Sequence, residues 1–344
     1  MKKVLVAMSG GVDSSAAAAL LLEQGYECSG ATMRLFSDNE SDVSDAAAVC
    51  DTLKIKHLTF DLSELFGREV IDSFVTAYEN GKTPNPCIVC NKKLKFGALL
   101  DKALELGFDC IATGHYARIG FDADSGRYLL RKAAFTEKDQ SYVLYGLTQQ
   151  QLARTLFPLG GMTKEQVRTA AEERGFVNAR KHDSQDICFI PDGDYASFII
   201  GRTGKSYPSG NFTDTSGKPL GRHSGLIRYT IGQRRGLGIS LGERAYVCGI
   251  DPAANTVTLG KNSDLFSDTA EISSLNLISV TELTEPLRAA VKIRYSHREQ
   301  PALITQTGKD TALIRFDEPQ RAITKGQSAV IYSGDTVVGG GEIV

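Results

Sequence analysis

The chain has 344 residues, a formal net charge of −2, 42% apolar residues and 23% charged residues, which is typical of a globular protein of two or three domains. No apolar run is long enough to cross a bilayer, so we expect no membrane association. The apolar segment before Asp13 is too short for a signal peptide, which predicts a cytoplasmic protein. Seven cysteines at irregular spacing favour thiol chemistry or metal binding over a disulfide framework.

The string SGGVDSS follows a short apolar strand and opens a helix predicted from Asp13 to about Gln24. The backbone amides of its first three residues can surround a phosphate, and the helix adds its N-terminal amides and dipole. The loop contains no lysine, so it is not the G-x-x-x-x-G-K-S/T phosphate loop. Asp13 and Ser14 offer oxygen ligands for the Mg²⁺ that accompanies ATP. The alternative interpretation is that the glycines only make a turn.

Strand-like and helix-like segments alternate up to about residue 115, which predicts a parallel sheet with helices on both faces. Further strands are predicted at Glu27 to Met33, Lys56 to Phe60 and Asp109 to Ala112, and helices at Ser44 to Leu53, Leu65 to Asn80 and Lys93 to Leu106. Ligands of such sheets bind at the carboxyl ends of the strands. Met33 and Gly114 lie at two such ends and are candidates for nucleotide contacts, with core packing and a simple turn as alternatives.

Two cysteine motifs stand out. In TPNPCIVCNKKLKFG, a cysteine at the start of a helix beside Lys92 and Lys93 is expected to have a lowered pKa. Alone, this C-x-x-C fits half a zinc site, a redox pair or a catalytic thiol, and the lack of a second C-x-x-C argues against a zinc ribbon. Cys188 in DSQDICFI, taken alone, fits a buried cysteine better than a catalyst. We predict core packing for the remaining cysteines, Cys28, Cys50, Cys110 and Cys248.

Beyond about residue 200 short β-prone runs replace the helical period. We therefore predict domains at 1–199, 200–269 and 270–344, the last a small barrel or sandwich, and a hairpin that pairs Ala117–Gly120 with Tyr128–Lys132. Residues 201–235 carry seven basic side chains against Asp214 alone, which fits a phosphate-backbone footprint or a solvated loop. The segment KIRYSHR suits an RNA-contacting strand face or a plain amphipathic strand.

SGGVDSS resembles the pyrophosphate-binding loop of the N-type ATP pyrophosphatases, which cleave ATP between its α and β phosphates and adenylate an oxygen. Together with the two cysteine motifs and TGHYARI, KDQSYVL, GQRRGLG, IRYSHRE and GQSAVIY, it resembles the tRNA 2-thiouridylase family over nearly the whole chain. The resemblance implies a Rossmann-like catalytic domain (adenine nucleotide alpha hydrolase-like) and two smaller, mainly β domains. It implies a sulfurtransferase that replaces the C2 oxygen of the wobble uridine in tRNAs for Lys, Glu and Gln. ATP and a persulfide from a cysteine desulfurase or a relay protein are then required.

The same resemblance implies roles for individual residues. ATP would contact Ala7, Met8, Ser9, Gly10, Gly11, Val12, Asp13, Ser14, Met33 and Gly114. Cys90 would be the nucleophile and Cys188 the persulfide carrier, joined in a transient disulfide, and Asn85, Pro86 and Cys87 would contact the target base. The tRNA would contact His115, Lys138, Asp139, Gln140, Arg294, Tyr295 and Gln327. Some members carry Asp at the position of Cys87, which leaves an acid–base role open there.

Three alternatives stay open at this point. Cys87, Cys90 and Cys188 could hold three corners of an iron–sulfur cluster that delivers the sulfur. A different ATP pyrophosphatase, acting on another base or a small molecule, would not need the two thiols. A non-catalytic tRNA-binding protein would leave the intact SGGVDSS loop unexplained.

Overall fold

The computed structural model describes residues 1–36, 40–181, 187–240 and 242–344. Residues 183–186 of the DSQDICFI motif therefore lie outside the described residues. Within the described chain, no helix is long and apolar enough to cross a membrane.

A five-stranded parallel sheet forms the centre of the N-terminal part, which confirms the predicted α/β class. Its strands are β1 (Lys3–Ala7), β2 (Glu27–Arg34), β3 (His57–Asp61), β4 (Cys110–Ala112) and β7 (Thr155–Leu156). Their order is β3-β2-β1-β4-β7, and every neighbouring pair is parallel. The inner strand β1 is almost fully buried, as expected for a sheet covered on both faces. The carboxyl end of β1, where the phosphate loop starts, is thus at the middle of the sheet.

The chain also contains α-helices, of which the first, second and sixth pack directly on strands of this sheet. They are α1 (Val12–Glu23), α2 (Glu40–Leu53), α3 (Ser63–Phe66), α4 (Ser73–Glu79), α5 (Pro86–Cys90), α6 (Leu99–Glu105), α7 (Gln149–Ala153), α8 (Lys164–Glu173) and α9 (Tyr195–Thr203). Two π-helical segments, Gly67–Asp72 and Asn91–Ala98, join α3 to α4 and α5 to α6 into longer continuous helices. The predicted helix Lys93 to Leu106 therefore belongs to a longer helix that already starts at Pro86.

A small sheet follows in the central part of the chain. It contains β8 (Gly210–Thr213), β9 (Pro219–His223), β10 (Tyr246–Asp251) and β11 (Thr256–Gly260), in the order β10-β11-β8-β9. Phe212, Val247 and Val257 are fully buried and form its core. The predicted change from helical to β structure after residue 200 is confirmed.

The C-terminal strands close into a barrel. They are β12 (Phe266–Leu277), β13 (Leu287–Lys292), β14 (Gln300–Gly308), β15 (Thr311–Arg321), β16 (Ser328–Ser333) and β17 (Thr336–Ile343). Closure comes from β12, which pairs with both β15 and β17. The predicted hairpin is also confirmed, as β5 (Ala117–Asp122) and β6 (Arg127–Lys132), and Arg131 pairs with Thr336 of β17. The hairpin thus extends the barrel sheet into the N-terminal part of the chain.

One strand prediction was wrong. The segment KIRYSHR continues β13 only as far as Lys292, and residues 293–297 form bends and turns. Arg294 and Tyr295 are consequently presented by a loop between β13 and β14, not by the face of a strand.

Candidate active site

One cavity of about 520 Å³ joins the phosphate loop to the cysteine motifs. Its wall includes Ser9, Gly11 and Asp13 on one side and Cys87, Cys90 and Cys188 on another. This volume is in the range of cavities that hold a nucleotide-sized ligand. The two chemistries that the sequence predicts, phosphate binding and thiol chemistry, therefore have access to one another.

The phosphate loop leaves backbone amides available at the start of α1. Gly11 is the N-cap residue of α1, and no side chain caps the helix. The hydroxyl of Ser14 donates to the carbonyl of Gly11 (3.0 Å) and accepts from the amide of Ser9 (3.2 Å). Asn178 holds the loop from behind, because its Nδ2 donates to the carbonyl of Gly10 (3.0 Å). The arrangement can accept an anion at a helix N-terminus.

Gly10 has a conformation that requires glycine. Its φ is +68°, and a Cβ there would lie 2.7 Å from the Cα and the carbonyl oxygen of Asp42. Gly114 is equally tight, since its Cβ would lie 2.8 Å from the backbone of Asp13 and Ser14. Gly114 therefore supports the loop directly, and a nucleotide contact at this residue stays a prediction.

Asp13 is paired with a lysine from a distant part of the chain. Lys164, the first residue of α8, donates from Nζ to Oδ1 and Oδ2 of Asp13 at 2.8 and 2.9 Å. The hydroxyl of Tyr116 donates to Oδ1 at 2.7 Å. The side chain of Lys164 is only 8% exposed, whereas that of Asp13 is 32% exposed. This lysine supplies the positive charge that the loop itself lacks.

The Mg²⁺ predicted at Asp13 would have to share the carboxylate with Lys164. Three of about four lone-pair positions of the carboxylate accept hydrogen bonds from Tyr116 and Lys164, and among the described residues one position on Oδ2 has no donor. The chemistry of this residue fits the ion, and the contact stays a prediction. Ser14 is a poorer candidate, because its hydroxyl is engaged within the loop.

The C-x-x-C motif lies on a helix whose start is fixed by its own sequence. Asn85 is the N-cap residue of α5 and accepts from the amide of Cys87 at 3.1 Å, and Pro86 follows at a position that needs no amide hydrogen bond. Cys87 faces the cavity near the start of the helix. Cys90 is half-buried, at the end of α5 where the π-helical segment begins.

The expected lowering of the cysteine pKa is wrong for this conformation. Burial raises the pKa of Cys90 and of Cys87, and it raises the pKa of Cys188 to about 11. Lys92 and Lys93 are exposed, and the positive charge that acts against the effect of burial comes from Lys95. Cys90 also lies too far along the continuous helix for its amino end to act on it.

All seven cysteines are free thiols. Cys28, Cys50 and Cys110 are buried, which confirms their predicted packing role, whereas Cys248 is half-exposed. Among the described residues, no three His, Cys, Asp or Glu side chains are grouped as metal ligands. Cys87, Cys90 and Cys188 all belong to the described residues, and the iron–sulfur alternative stays a prediction.

Some residues predicted to contact tRNA reach the cavity. Lys138, Gln140 and Tyr295 line it together with Cys87. Tyr295 is 45% exposed, and its hydroxyl donates to the carbonyl of Asp139 at 3.4 Å. An exposed ring beside an open cavity is suited to stacking on a base.

Other side chains predicted to contact tRNA form hydrogen bonds within the protein. His115 is 8% exposed and bonds Thr113 through Nδ1 at 2.7 Å, and burial lowers its pKa well below the ordinary value. Asp139 accepts from the amide of Ala133 (2.9 Å), and Arg294 donates to the carbonyl of Arg321 (3.2 Å). These contacts argue against a direct tRNA contact by the side chain of His115 and give the other two a structural role.

Gln327 bridges the barrel and the cysteine-bearing segment. Its Nε2 donates to the carbonyl of Thr83 at 2.6 Å, and the amide of Thr83 donates to the carbonyl of Lys325 at 2.8 Å. Gly326 packs so closely that a Cβ would lie 2.9 Å from the Cβ of Lys82. The barrel therefore holds the chain just before Asn85.

Sequence reasoning missed three residues of this site: Lys95, Lys164 and Asn178. Lys95 was hidden among neighbouring lysines, and only the π-helical turn distinguishes it. Lys164 is 151 residues from Asp13, and Asn178 is 168 residues from Gly10, so no local pattern reveals either contact. The capping box at Thr163 predicts the start of α8 but not the partner of Lys164.

The fold and the site define an α/β nucleotide-binding enzyme whose phosphate loop and thiols share one cavity. Residues 2–192 match the family model described as the tRNA methyl transferase HUP domain. Residues 196–261 match the PRC-barrel domain of the same name, and residues 267–343 match the aminomethyltransferase beta-barrel domain.

Curated relatives identify the family. The tRNA-specific 2-thiouridylase MnmA of Clostridioides difficile (strain 630) is 49% identical over 353 residues, which cover 99% of this chain and 98% of the relative. The protein of the same name from Treponema denticola is 47% identical over 358 residues, covering 99% and 97%. The chain therefore belongs to the tRNA-specific 2-thiouridylase family.

More distant solved structures share part of the fold. The U34-tRNA thiolase NcsA from Methanococcus maripaludis has a TM-score of 0.36 and 17% identity, covering 59% of this chain and 64% of that chain. A 4-thiouridine synthetase–RNA complex with bound ATP has a TM-score of 0.35 and 18% identity, covering 59% and 50%.

Proposed function

We propose that this chain catalyses ATP-dependent 2-thiolation of the wobble uridine in tRNAs for Lys, Glu and Gln, in the cytoplasm. The observation that carries the proposal is the single cavity that contains both the phosphate loop and the thiols of Cys87, Cys90 and Cys188. Its family membership supports the same reaction. For the substrate, the proposal is also supported by Lys138, Gln140 and Tyr295 in the same wall.

The first step activates a poor electrophile. The O2 atom of the uridine attacks the α-phosphorus of ATP, the bond between the α-phosphorus and the bridging oxygen breaks, and pyrophosphate leaves. The loop amides and the start of α1 hold the negative charge that develops on the pyrophosphate, and Lys164 adds a positive charge beside them. Asp13 would hold Mg²⁺, which supplies further charge neutralisation.

The second step transfers sulfur. The terminal sulfur of a persulfide on Cys188 attacks C2 of the adenylated base, and AMP leaves with the former O2. The thiolate of Cys90 then attacks the sulfur of Cys188 that remains bonded to the transferred atom. The S–S bond breaks, the electron pair stays on the 2-thiouridine sulfur, and Cys90 and Cys188 are left as a disulfide. A persulfide donor, such as a cysteine desulfurase or a relay protein, and a thiol reductant complete the cycle.

The target base must leave the anticodon stack to reach this cavity. Asn85, Pro86 and Cys87 lie at the start of α5. Pro86 and Cys87 line the same cavity as Tyr295, whose exposed ring offers a stacking surface. Lys138 provides a charge for the phosphate backbone. Seven basic residues between 201 and 235 extend this charge to the central part of the chain.

Nucleoside mass spectrometry tests the proposal. Unmodified tRNA is incubated with Mg-ATP and a persulfide source, with wild-type enzyme, C90S and C188S side by side, and nuclease fragments locate the modified base. We expect 2-thiouridine at the wobble position only with ATP and both thiols. Recovery of C188S, but not C90S, by excess free sulfide would identify Cys188 as the carrier. Absence of any thiolated nucleoside from the wild-type reaction would contradict the proposal.

The cluster-dependent version of the reaction is tested in the same preparation. Anaerobically purified protein should be colourless and active with a persulfide source. A visible absorbance band that accompanies activity, and is lost together with it in C87S, would replace the persulfide step by a cluster.

A further inference from the structure

Lys95 is the lysine of the cysteine-bearing helix that faces the cavity. It is half-buried and lines the same cavity wall as Cys87, Cys90 and Cys188, whereas Lys92 and Lys93 are exposed. Cys90 immediately precedes the π-helical segment Asn91–Ala98. A π-helix closes hydrogen bonds between residues five apart, so positions 90 and 95 share one face. The wider turn thereby brings an ammonium group to the side of the helix that carries the thiol.

Lys95 differs from two other lysines of this region, which form ion pairs with carboxylates. Lys164 is paired with Asp13, and Lys181 is paired with Asp42 at 2.8 Å. Within the part of the chain that the structure describes, Lys95 forms no ion pair with a carboxylate. An anion inside the cavity is therefore its available partner.

The three thiols that line the same cavity are candidates for that anion. The positive charge of Lys95 acts on Cys87, Cys90 and Cys188 and opposes the effect of burial on the pKa of each. Neighbouring thiols act in the other direction, since Cys87 raises the pKa of Cys90, and both raise that of Cys188.

Other charged or titratable groups face this region from several elements. They are Asp13 and Tyr116 at the loop, Asp42 on α2, Lys181, Lys138 before the 3-10 turn at Ser141–Leu144, Tyr295 on the barrel loop, and the buried, neutral His115. Among these groups Lys181 is paired with Asp42, and the positive charge that acts on all three thiols is that of Lys95.

We propose that Lys95 is a positioning residue for the sulfur chemistry, whose ammonium group holds the Cys90 thiolate and the anionic persulfide of Cys188 in the cavity. A sulfur nucleophile reacts as the anion, and a cation beside it offsets the cost of removing that anion from water. The persulfide part of this inference rests on the proposed function, but the effect on the free thiols does not.

The test is the pH profile of thiol alkylation in the absence of ATP and tRNA. Iodoacetamide labelling of Cys90 and Cys188 is followed by peptide mass spectrometry between pH 6 and 10 for wild type, K95M, K95R and K93M. In K95M the labelling rate of both cysteines should fall throughout this pH range, because the fraction of each thiol present as thiolate decreases. A rise of one pKa unit lowers the thiolate fraction about tenfold, but the more basic thiolate that remains reacts about threefold faster. The labelling rate at pH 8 should therefore fall about threefold.

The control variants decide between charge and structure. K95R should keep the wild-type profile because it keeps the charge, and K93M should keep it because Lys93 is exposed. Coincident profiles for K95M and wild type, or an equal shift in K93M, would overturn the inference. If K95M does not fold, K95Q provides a second neutral side chain, judged by the same profile. Since no tRNA is present, a shifted profile without thiolation activity would uphold the role of Lys95 and refute the proposed function alone.

Discussion

At the scale of single residues, the ion pair between Lys164 and Asp13 gives the phosphate loop a cation from another helix. The pair is held at 2.8 and 2.9 Å, with Lys164 almost fully buried. We expect K164M to slow tRNA-dependent release of pyrophosphate about a hundredfold, because a preorganised charge beside the leaving group is lost. A coupled pyrophosphate assay measures this rate.

The control for K164M is K3M, which removes a lysine that pairs with Glu27 on the surface at 4.0 Å. This variant should release pyrophosphate at the wild-type rate. Removing Lys164 also breaks the ion pair of Asp13. We expect a loss of about 1–2 kcal/mol in the free energy of unfolding, because water can hydrate the partly exposed Asp13 carboxylate and so offsets part of the lost interaction. A K164M enzyme that releases pyrophosphate at the wild-type rate would contradict the role assigned to the positive charge of Lys164.

Cys188 provides a pH-dependent prediction at the same scale. Burial raises its pKa to about 11, so the folded protein holds the thiol proton more tightly than the unfolded chain. Alkylation of Cys188 at pH 8 should therefore be at least about tenfold slower in the native protein than in urea. By linkage, this shift favours folding below a pH of about 8.5 and is lost as the pH rises towards 11. Cys188 is exposed, so the reagent can reach it, and equal alkylation rates in the two states would contradict the raised pKa.

At the scale of elements, the turn between β1 and α1 depends on one glycine more than on its neighbour. Gly10 has a φ of +68° and no space for a Cβ, whereas a Cβ on Gly11 would meet only the Ser9 hydroxyl at 3.4 Å. We expect G10A to lower the free energy of unfolding by about 2 kcal/mol and to weaken Mg-ATP binding. G11A, as the matched variant, should lose less than about 1 kcal/mol. Urea denaturation gives both values, and equal losses would contradict this account of the turn.

The elements themselves were largely predictable, and their junctions were not. The parallel sheet, the hairpin β5–β6 and the β-rich C-terminal part follow from local periodicity and turn residues. The π-helical segment after Cys90 has no such signal in the sequence. The sequence therefore assigned the charge beside the thiols to Lys92 and Lys93, whereas the structure assigns it to Lys95. The pairing of Lys164 with Asp13 depends on how α8 meets α1, which is set by tertiary packing.

At the scale of the whole molecule, the barrel supports the segment that leads to the C-x-x-C motif. Gln327 and Lys325 bond the backbone of Thr83 at 2.6 and 2.8 Å, and Lys82 pairs with Glu342 at 2.7 Å. We expect Q327A to lose about 1 kcal/mol of local stability, so that amides of residues 80–90 exchange with deuterium about fivefold faster. Hydrogen-exchange mass spectrometry without tRNA measures this effect.

The control for this prediction is Q306A in the same barrel, whose side chain bonds the amide of Leu283 at 2.8 Å and the carbonyls of Gly308 and Lys309. It should leave exchange of residues 80–90 unchanged. Unchanged exchange in Q327A as well would refute the role of Gln327 in holding the cysteine-bearing segment, and it would favour the predicted contact between Gln327 and tRNA.

The central claim is that ATP chemistry and sulfur chemistry occur in one cavity, and single-turnover peptide mapping tests it most directly. Enzyme carrying a persulfide on Cys188 is mixed with tRNA and Mg-ATP without a reductant, and 2-thiouridine and the Cys90–Cys188 disulfide are quantified together. We predict one disulfide for each thiolated uridine, and neither product when ATP or tRNA is omitted. Thiolated uridine without the disulfide, or equal disulfide formation without ATP, would contradict the claim.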